Sequence, residues 1–180
     1  MSQPMQVICI GVLSWCLFEL FQKKIYIPRD RVLATLRISV FVAILFPYIF
    51  LLRTGTSGLL HVAFSLWLVW TCDVFALIFG RIWGKTKLST ISPRKTLEGT
   101  LLGFLVTLVM AFALIWILHL PLVKYMVLAI IIGILGQLGD LHESLFKRHF
   151  NIKDSSNLLP GHGGFYDRVD STIFVCPISF

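Results

Sequence analysis

Residues 125–171 read YMVLAIIIGILGQLGDLHESLFKRHFNIKDSSNLLPGHGGFYDRVDS. Tyr125 to Leu138 is apolar and suits a membrane span. Gly139 to Ser171 is different: it holds five of the nine carboxylates, three of the five histidines and four of the sixteen Lys/Arg of the chain. An apolar protein has little structural reason to gather so many ionisable groups beside a membrane segment. The pattern is that of a site for a metal and an anionic substrate.

The surrounding chain is hydrocarbon-like. With 57% hydrophobic and 14% charged residues and a mean hydropathy of +0.84, it is not a soluble domain. A helix needs roughly 20 apolar residues to cross a bilayer, and several stretches approach that length. The expected fold is all-α: a polytopic helical membrane protein with about five transmembrane helices and a short C-terminal apolar segment. No repeat, low-complexity tract or linker divides it, so residues 1–180 are expected to form one membrane domain.

In chain order, Val7 to Phe21 is a short anchoring helix without a signal-peptide cleavage site, and its Glu19 is expected at the interface, within reach of Lys23. Lys23 to Arg31 is a basic loop. Val32 to Leu52 is a second span, with Arg37 able to snorkel, and Arg53 to Gly58 is a turn. Leu59 to Phe79 is a third span containing Asp73, an intramembrane acid that marks function by default. Thr100 to Leu122 is a fourth, with Gly99 and Gly103 spaced for close helix contact. His119 at its far end is expected to be interfacial. Tyr125 to Leu138 is the fifth, and Gly133, Gly136 and Gly139 would let another backbone approach. Arg168 to Phe180 is too short to cross.

Charge placement orients these spans. If the third span exits to the cytoplasm, the loops at 23–31, 80–99 and 140–168, with Arg37 counted to the first, hold fourteen of the sixteen Lys/Arg, as the positive-inside rule requires. Two polar stretches far apart in sequence then meet at one face. No basic patch is interleaved with exposed aromatics, so nucleic-acid binding is not expected. The four cysteines, Cys9, Cys16, Cys72 and Cys176, form no Cys-x-x-Cys pair. Cys9 and Cys16 share a helix face as small apolar residues.

The upstream polar stretch is Gly80 to Gly99, GRIWGKTKLSTISPRKTLEG. Ser92-Pro93 reads as an N-cap followed by Pro at the first helical position, which puts Lys95, Thr96 and Glu98 in the first turns of the fourth span. A helix N-terminus flanked by Arg94 and Lys95 suits phosphate. Downstream, Asp140, Glu143 and Ser144 share one helix face, continued by Lys147. The Gly163-Gly164 pair after His162 lets backbone approach a ligand. Asp167 and Asp170 face one way if helical. Carboxylates converging beside Lys and Arg suit a hard cation such as Mg²⁺, whereas zinc is disfavoured because no thiolate is nearby and the histidines lack ligand spacing.

Ser144-x-Phe146-Lys147-Arg148, then Lys153-Asp154, then Pro160-x-His162-Gly163-Gly164-x-x-Asp167-Arg168-x-Asp170 resembles the C-terminal signature of the phosphatidate cytidylyltransferases, the CDP-diacylglycerol synthases. Upstream, Asp73, Ala76, Gly80-Arg81, Gly84-Lys85 and Ser92-Pro93-x-Lys95-Thr96-x-Glu98-Gly99 is also similar to that family, with Leu77 standing where the family usually has Tyr. The resemblance is strong from about Trp70 to Ser171 and weak before it, where family members usually have further spans.

The resemblance implies transfer of the cytidylyl group of CTP to phosphatidate, giving CDP-diacylglycerol and pyrophosphate in phospholipid synthesis at a bacterial inner membrane, with the site facing the cytoplasm. It implies Mg²⁺, in the family one of a pair of metal ions, held by Asp140 and Asp167, with Asp170 a further candidate. Lys147, Arg148, Lys153 and Arg168 become candidate phosphate contacts, and His162 a residue that orients a phosphate or a loop. Asp73, Arg81, Lys85, Ser92, Lys95, Thr96, Ser144, Gly163 and Gly164 are candidate substrate-binding positions. Glu143 and Asp154 are expected only to pair with neighbouring cations. Self-association into a homodimer is left open. Two rival readings stand beside this one: a truncated, inactive relative, and a transporter or channel with Asp73 on an ion path.

Overall fold

A computed structural model describes residues 3–22, 58–89, 92, 95–152, 171–172 and 174–175. Four helices occur among them: α1 (Gln3–Gln22), α2 (Gly58–Trp83), α3 (Leu97–Ile117) and α4 (Leu122–His149). The last three are each long and apolar enough to cross a membrane. The protein is therefore an all-α, multi-pass membrane protein. The expected span Val32–Leu52, the loop Lys23–Arg31 and most of the turn before Gly58 lie outside the described residues.

The lipid-facing side is visible on α3. Leu101, Leu105, Val109, Phe112 and Trp116 recur at helical spacing and are all at least half exposed. In water such a stripe would be an aggregation site; in hydrocarbon it needs no cover. The opposite faces build a core of Phe64, Leu68 and Val69 from α2, Ala111 and Ile115 from α3, and Tyr125, Ala129 and Ile132 from α4, closed by Val175. Tyr125 also bonds His61 Nε2 through its hydroxyl at 3.1 Å, so the starts of α2 and α4 lie at the same end of the bundle.

Small residues bring α2 and α3 together, as the Gly99/Gly103 spacing predicts. A Cβ on Gly99 would lie 2.5 Å from the Ala76 carbonyl oxygen and 2.6 Å from Gly80 Cα, and one on Gly103 would lie 2.7 Å from the Ala76 nitrogen. The two backbones touch along this line, where lipid-embedded helices gain their packing. The glycines of α4 behave differently from the sequence expectation. Hypothetical Cβ atoms at Gly133 and Gly139 meet the rings of Phe104 and Phe174, and the nearest atoms to Gly136 are also side chains. They make room for bulky side chains, not for a backbone.

Both long helices that lead to the site end in the same way. His119 has φ 51°; its N–H and that of Leu120 return to the carbonyls of Trp116 and Ile115 at 3.4 and 3.0 Å. Asn151 has φ 56°, and the N–H groups of Asn151 and Ile152 return to Arg148 and Lys147 at 3.1 and 3.0 Å. This is the Schellman pattern, with a left-handed residue satisfying the last carbonyls. His119 is exposed, but its structural role is to stop α3 and turn the chain into α4. Lys147, Arg148 and His149 lie in the last turn of α4, where cations complement the helix dipole.

Helix α4 does not end where its apolar run ends. It carries on through Asp140, Glu143, Ser144 and Lys147 as one rod, so the shared face read from the sequence exists. Helix α1 packs on α4, and here the structure corrects the sequence reading. Glu19 is fully buried and lies 3.3 Å from His142 Nε2, turned into the bundle rather than lying at an interface. His142 is itself buried, with its ring against Phe174.

Candidate active site

A short hairpin between α2 and α3 builds one wall of the site. Leu88 donates from its backbone to the Lys95 carbonyl at 2.9 Å, and Leu97 to the Thr86 carbonyl at 3.0 Å. Lys87 and Thr96 are thereby paired as an isolated antiparallel bridge. The Glu98 carboxylate closes the hairpin from below. It accepts from the backbone N–H groups of Lys85 and Thr86 at 3.1 Å and from the Thr86 hydroxyl at 2.5 Å.

This hairpin relocates the start of the helix. Sequence reading puts the N-cap at Ser92 and Lys95 in the first turn; the structure puts the cap at Thr96, in extended conformation (φ −116°, ψ 149°), with its hydroxyl accepting from Gly99 N–H. Ser92 instead accepts from Lys95 N–H at 3.1 Å through its carbonyl, in a turn. The bridge to Lys87 holds Thr96 extended, so the helix cannot begin sooner. The N–H groups of Leu97, Gly99 and Thr100 are all taken by the chain itself, through the Thr86 carbonyl, the Thr96 hydroxyl and the Thr96 carbonyl. Those three N–H groups of the helix terminus are therefore already satisfied.

Lys95, just before α3, extends its ammonium to Asp140 Oδ2 on α4, and both side chains are largely buried. The two polar stretches of the sequence meet in this ion pair. A cleft of about 80 Å³ surrounds it, lined by Asp73, Ala76 and Leu77 of α2, by Lys95, Thr96 and Thr100, and by Gln137 and Asp140 of α4. Two carboxylates and one ammonium from three separate elements thus share one small space. Charges held among apolar helices cost free energy unless paired.

Of the candidates read from the sequence, the cleft unites Asp73, Lys95, Thr96 and Asp140. Arg81 stands exposed in the last turn of α2, and Lys85 is exposed in the hairpin. Ser92 is in the turn below Lys95, and Ser144 is half-buried one turn beyond Asp140. Lys147 pairs with Glu143 at 2.7 Å, as expected for that acid. Arg148 is exposed at the end of α4. These six do not line the cleft. Lys153, Asp154, His162, Gly163, Gly164, Asp167, Arg168 and Asp170 lie outside the described residues.

Sequence reading missed Gln137 and Thr100. The Gln137 amide donates to the Thr100 carbonyl and to Cys72 Sγ, each at 3.1 Å, and so ties α4 to both α3 and α2 at the floor of the cleft. The available signal was a polar amide inside an otherwise apolar run. The donor set of the cleft is hard: carboxylates, hydroxyls and an amide. That suits Mg²⁺ rather than a thiophilic metal. Among the described residues no group of three or more His, Cys, Asp or Glu stands together.

A sequence profile of the cytidylyltransferase family matches residues 1–180. The chain belongs to the cytidylyltransferase family. Among curated relatives, it is 43% identical over 134 residues to a phosphatidate cytidylyltransferase of Staphylococcus saprophyticus, covering 73% of this chain and 52% of that protein. The enzymes of the same name from Staphylococcus haemolyticus and Staphylococcus aureus are 44% and 41% identical over the same length and shares. The chain spans about half the length of the curated relatives it matches.

Proposed function

We propose that this chain carries the catalytic site of a phosphatidate cytidylyltransferase. The observation that carries this reading is the Lys95–Asp140 pair in a cleft also lined by Asp73. It joins the two polar stretches that the family resemblance marks as substrate-binding and metal-binding. In the reaction, a phosphate oxygen of phosphatidate attacks the α-phosphorus of CTP. The bond from that phosphorus to the β-phosphate bridge breaks, pyrophosphate leaves, and CDP-diacylglycerol forms. The nucleophile is already anionic and the leaving group is competent, so the protein needs no strong base. Its work is to hold two anions in line and offset their repulsion.

Lys95 supplies a fixed cation inside the cleft, and Thr96 and Thr100 supply hydroxyl groups there. Lys147, Arg148, Lys153 and Arg168 are the further cations for phosphate. Asp140, with Asp167 and Asp170, would hold Mg²⁺ and a second metal ion. Bound metal would supply charge neutralisation at the phosphates. The basic hairpin end is assigned to the cytoplasmic side of a bacterial inner membrane, where CTP is available, because fourteen of the sixteen Lys/Arg belong to that side. A transporter would string acids along several spans, but Asp73 shares one cleft with Lys95 and Asp140.

The test is synthesis of CDP-diacylglycerol from labelled CTP and phosphatidate by membranes containing the inserted chain, with and without Mg²⁺. Mg²⁺-dependent product is expected. Absence of product from correctly inserted protein refutes the proposal.

A further inference from the structure

We propose that Glu98, which does not line the cleft, is a positioning residue that sets where the Lys95 ammonium stands against Asp140. Glu98 lies in the first turn of α3. Its carboxylate gathers the Lys85 and Thr86 N–H groups and the Thr86 hydroxyl. That fixes Thr86, whose carbonyl receives Leu97 N–H, and Leu88, two residues on, which donates to the Lys95 carbonyl. Lys95 N–H is held in turn by the Ser92 carbonyl. The backbone of Lys95 is therefore anchored on both sides, and one of those anchors runs back to the Glu98 carboxylate within a few bonds.

Two further contacts fit a clip rather than a ligand contact. Thr96 packs so closely on Gly80 and Gly84 that a Cβ on Gly80 would lie 2.9 Å from its hydroxyl oxygen. The hairpin is thus seated on the end of α2. The Glu98 carboxylate accepts from Lys85 and Thr86, not from Lys95, whose ammonium goes to Asp140. Charge-assisted bonds of this kind are the stronger class, and four contacts converge on one carboxylate at 2.5–3.2 Å. The clip explains how a lysine on an irregular segment can be held at a single place beside α4.

This inference rests on the proposed cytidylyltransferase site, so its test includes a readout that needs no activity. In the full chain in detergent, Lys95 is acetylated with acetic anhydride and its modification rate is followed by peptide mass spectrometry. Pairing with Asp140 protects the amine. Glu98→Gln is expected to raise the rate about tenfold, comparable to loss of one charged hydrogen bond. Asp140→Asn raises it as a positive control. Thr86→Val, which removes only the hydroxyl contact, raises it less and guards against a Glu98 variant that does not fold.

In the synthase assay, Glu98→Gln lowers kcat/KM by about tenfold, and the Glu98→Gln/Lys95→Gln double variant is no slower than Lys95→Gln alone, as for residues acting as one unit. Unchanged Lys95 acetylation in both Glu98→Gln and Thr86→Val overturns the inference. So does a double variant whose losses add, which would make Glu98 act independently of Lys95. If the wild-type chain makes no CDP-diacylglycerol, the functional reading fails, and the acetylation rates alone decide the clip.

Discussion

Replacing Gly103 by alanine adds one methyl group at the seam between α2 and α3. That methyl would lie 2.7 Å from the Ala76 nitrogen and 2.9 Å from Ala76 Cα and Cβ. Carbon contacts settle at roughly 3.5–4.0 Å, so α2 must retreat from α3 by about 1 Å. Backbone atoms, unlike a flexible side-chain tip, cannot swing aside. Overpacking of this kind costs about 1–3 kcal/mol, against a helix-propensity gain for Ala over Gly of about 1 kcal/mol. The net expectation is a loss of up to about 2 kcal/mol, with larger damage to activity, because Asp73 lies three residues from Ala76 and moves with it. Gly11→Ala is the matched control, since among the described residues nothing lies within 4 Å of its added Cβ. Gly136→Ala is a second control, with contacts of only 3.9–4.0 Å. The measurements are thermal unfolding in detergent and CDP-diacylglycerol synthesis at matched protein levels. If Gly103→Ala is as stable and active as Gly11→Ala, the close approach of α2 and α3 is not what builds the cleft.

On the proposed metal site, Asp140→Asn and Asp167→Asn should each abolish most synthase activity, and the double variant should be little worse than either single, because two ligands of one cation would act together; near-full Mg²⁺-dependent activity in Asp167→Asn would remove it from the site, and Asp154→Asn is the tolerant control. Gln137→Leu loses the bonds to Thr100 and Cys72, so a destabilisation of about 1–2 kcal/mol is expected, together with lower activity, and an unchanged melting temperature would refute its bracing role. A cysteine at Ser89 should react with impermeant reagent only from the cytoplasmic face and one at Thr56 only from the other, with the reverse pattern breaking the topology.

The helices α2, α3 and α4 could be read from the sequence because long apolar windows have one stable form in a bilayer. The start of α3 could not. The Ser92-Pro93 signal for a helix start is local, whereas the bridge from Lys87 that holds Thr96 extended depends on a partner strand. At the other end of the site the helical face read through Lys147 is present, because the polar residues after Leu138 form good helix faces and pairs such as Glu143–Lys147, and α4 runs on to His149. Lys95 and Asp140 were legible because charge is conspicuous in so apolar a chain. Gln137 was passed over because an uncharged amide leaves no mark on charge patterning, although it does interrupt an apolar run. Glu19 was misplaced for another reason: its partner His142 is 123 residues away, and a nearby Lys23 offered a cheaper local pairing.

The continuity of α4 has a mechanical consequence. From Leu122 to Asp140 the helix is an unbroken rod about 27 Å long, with neither a proline nor a hinge between them. Tilting that rod by about 10° around its far end would sweep the Asp140 carboxylate through about 5 Å, more than the width of the contact it makes with Lys95. Any tilt of α4 relative to α2 and α3 would therefore act on Asp140 with the full length of the rod as its lever arm, so the packing that fixes α4 also fixes the carboxylate.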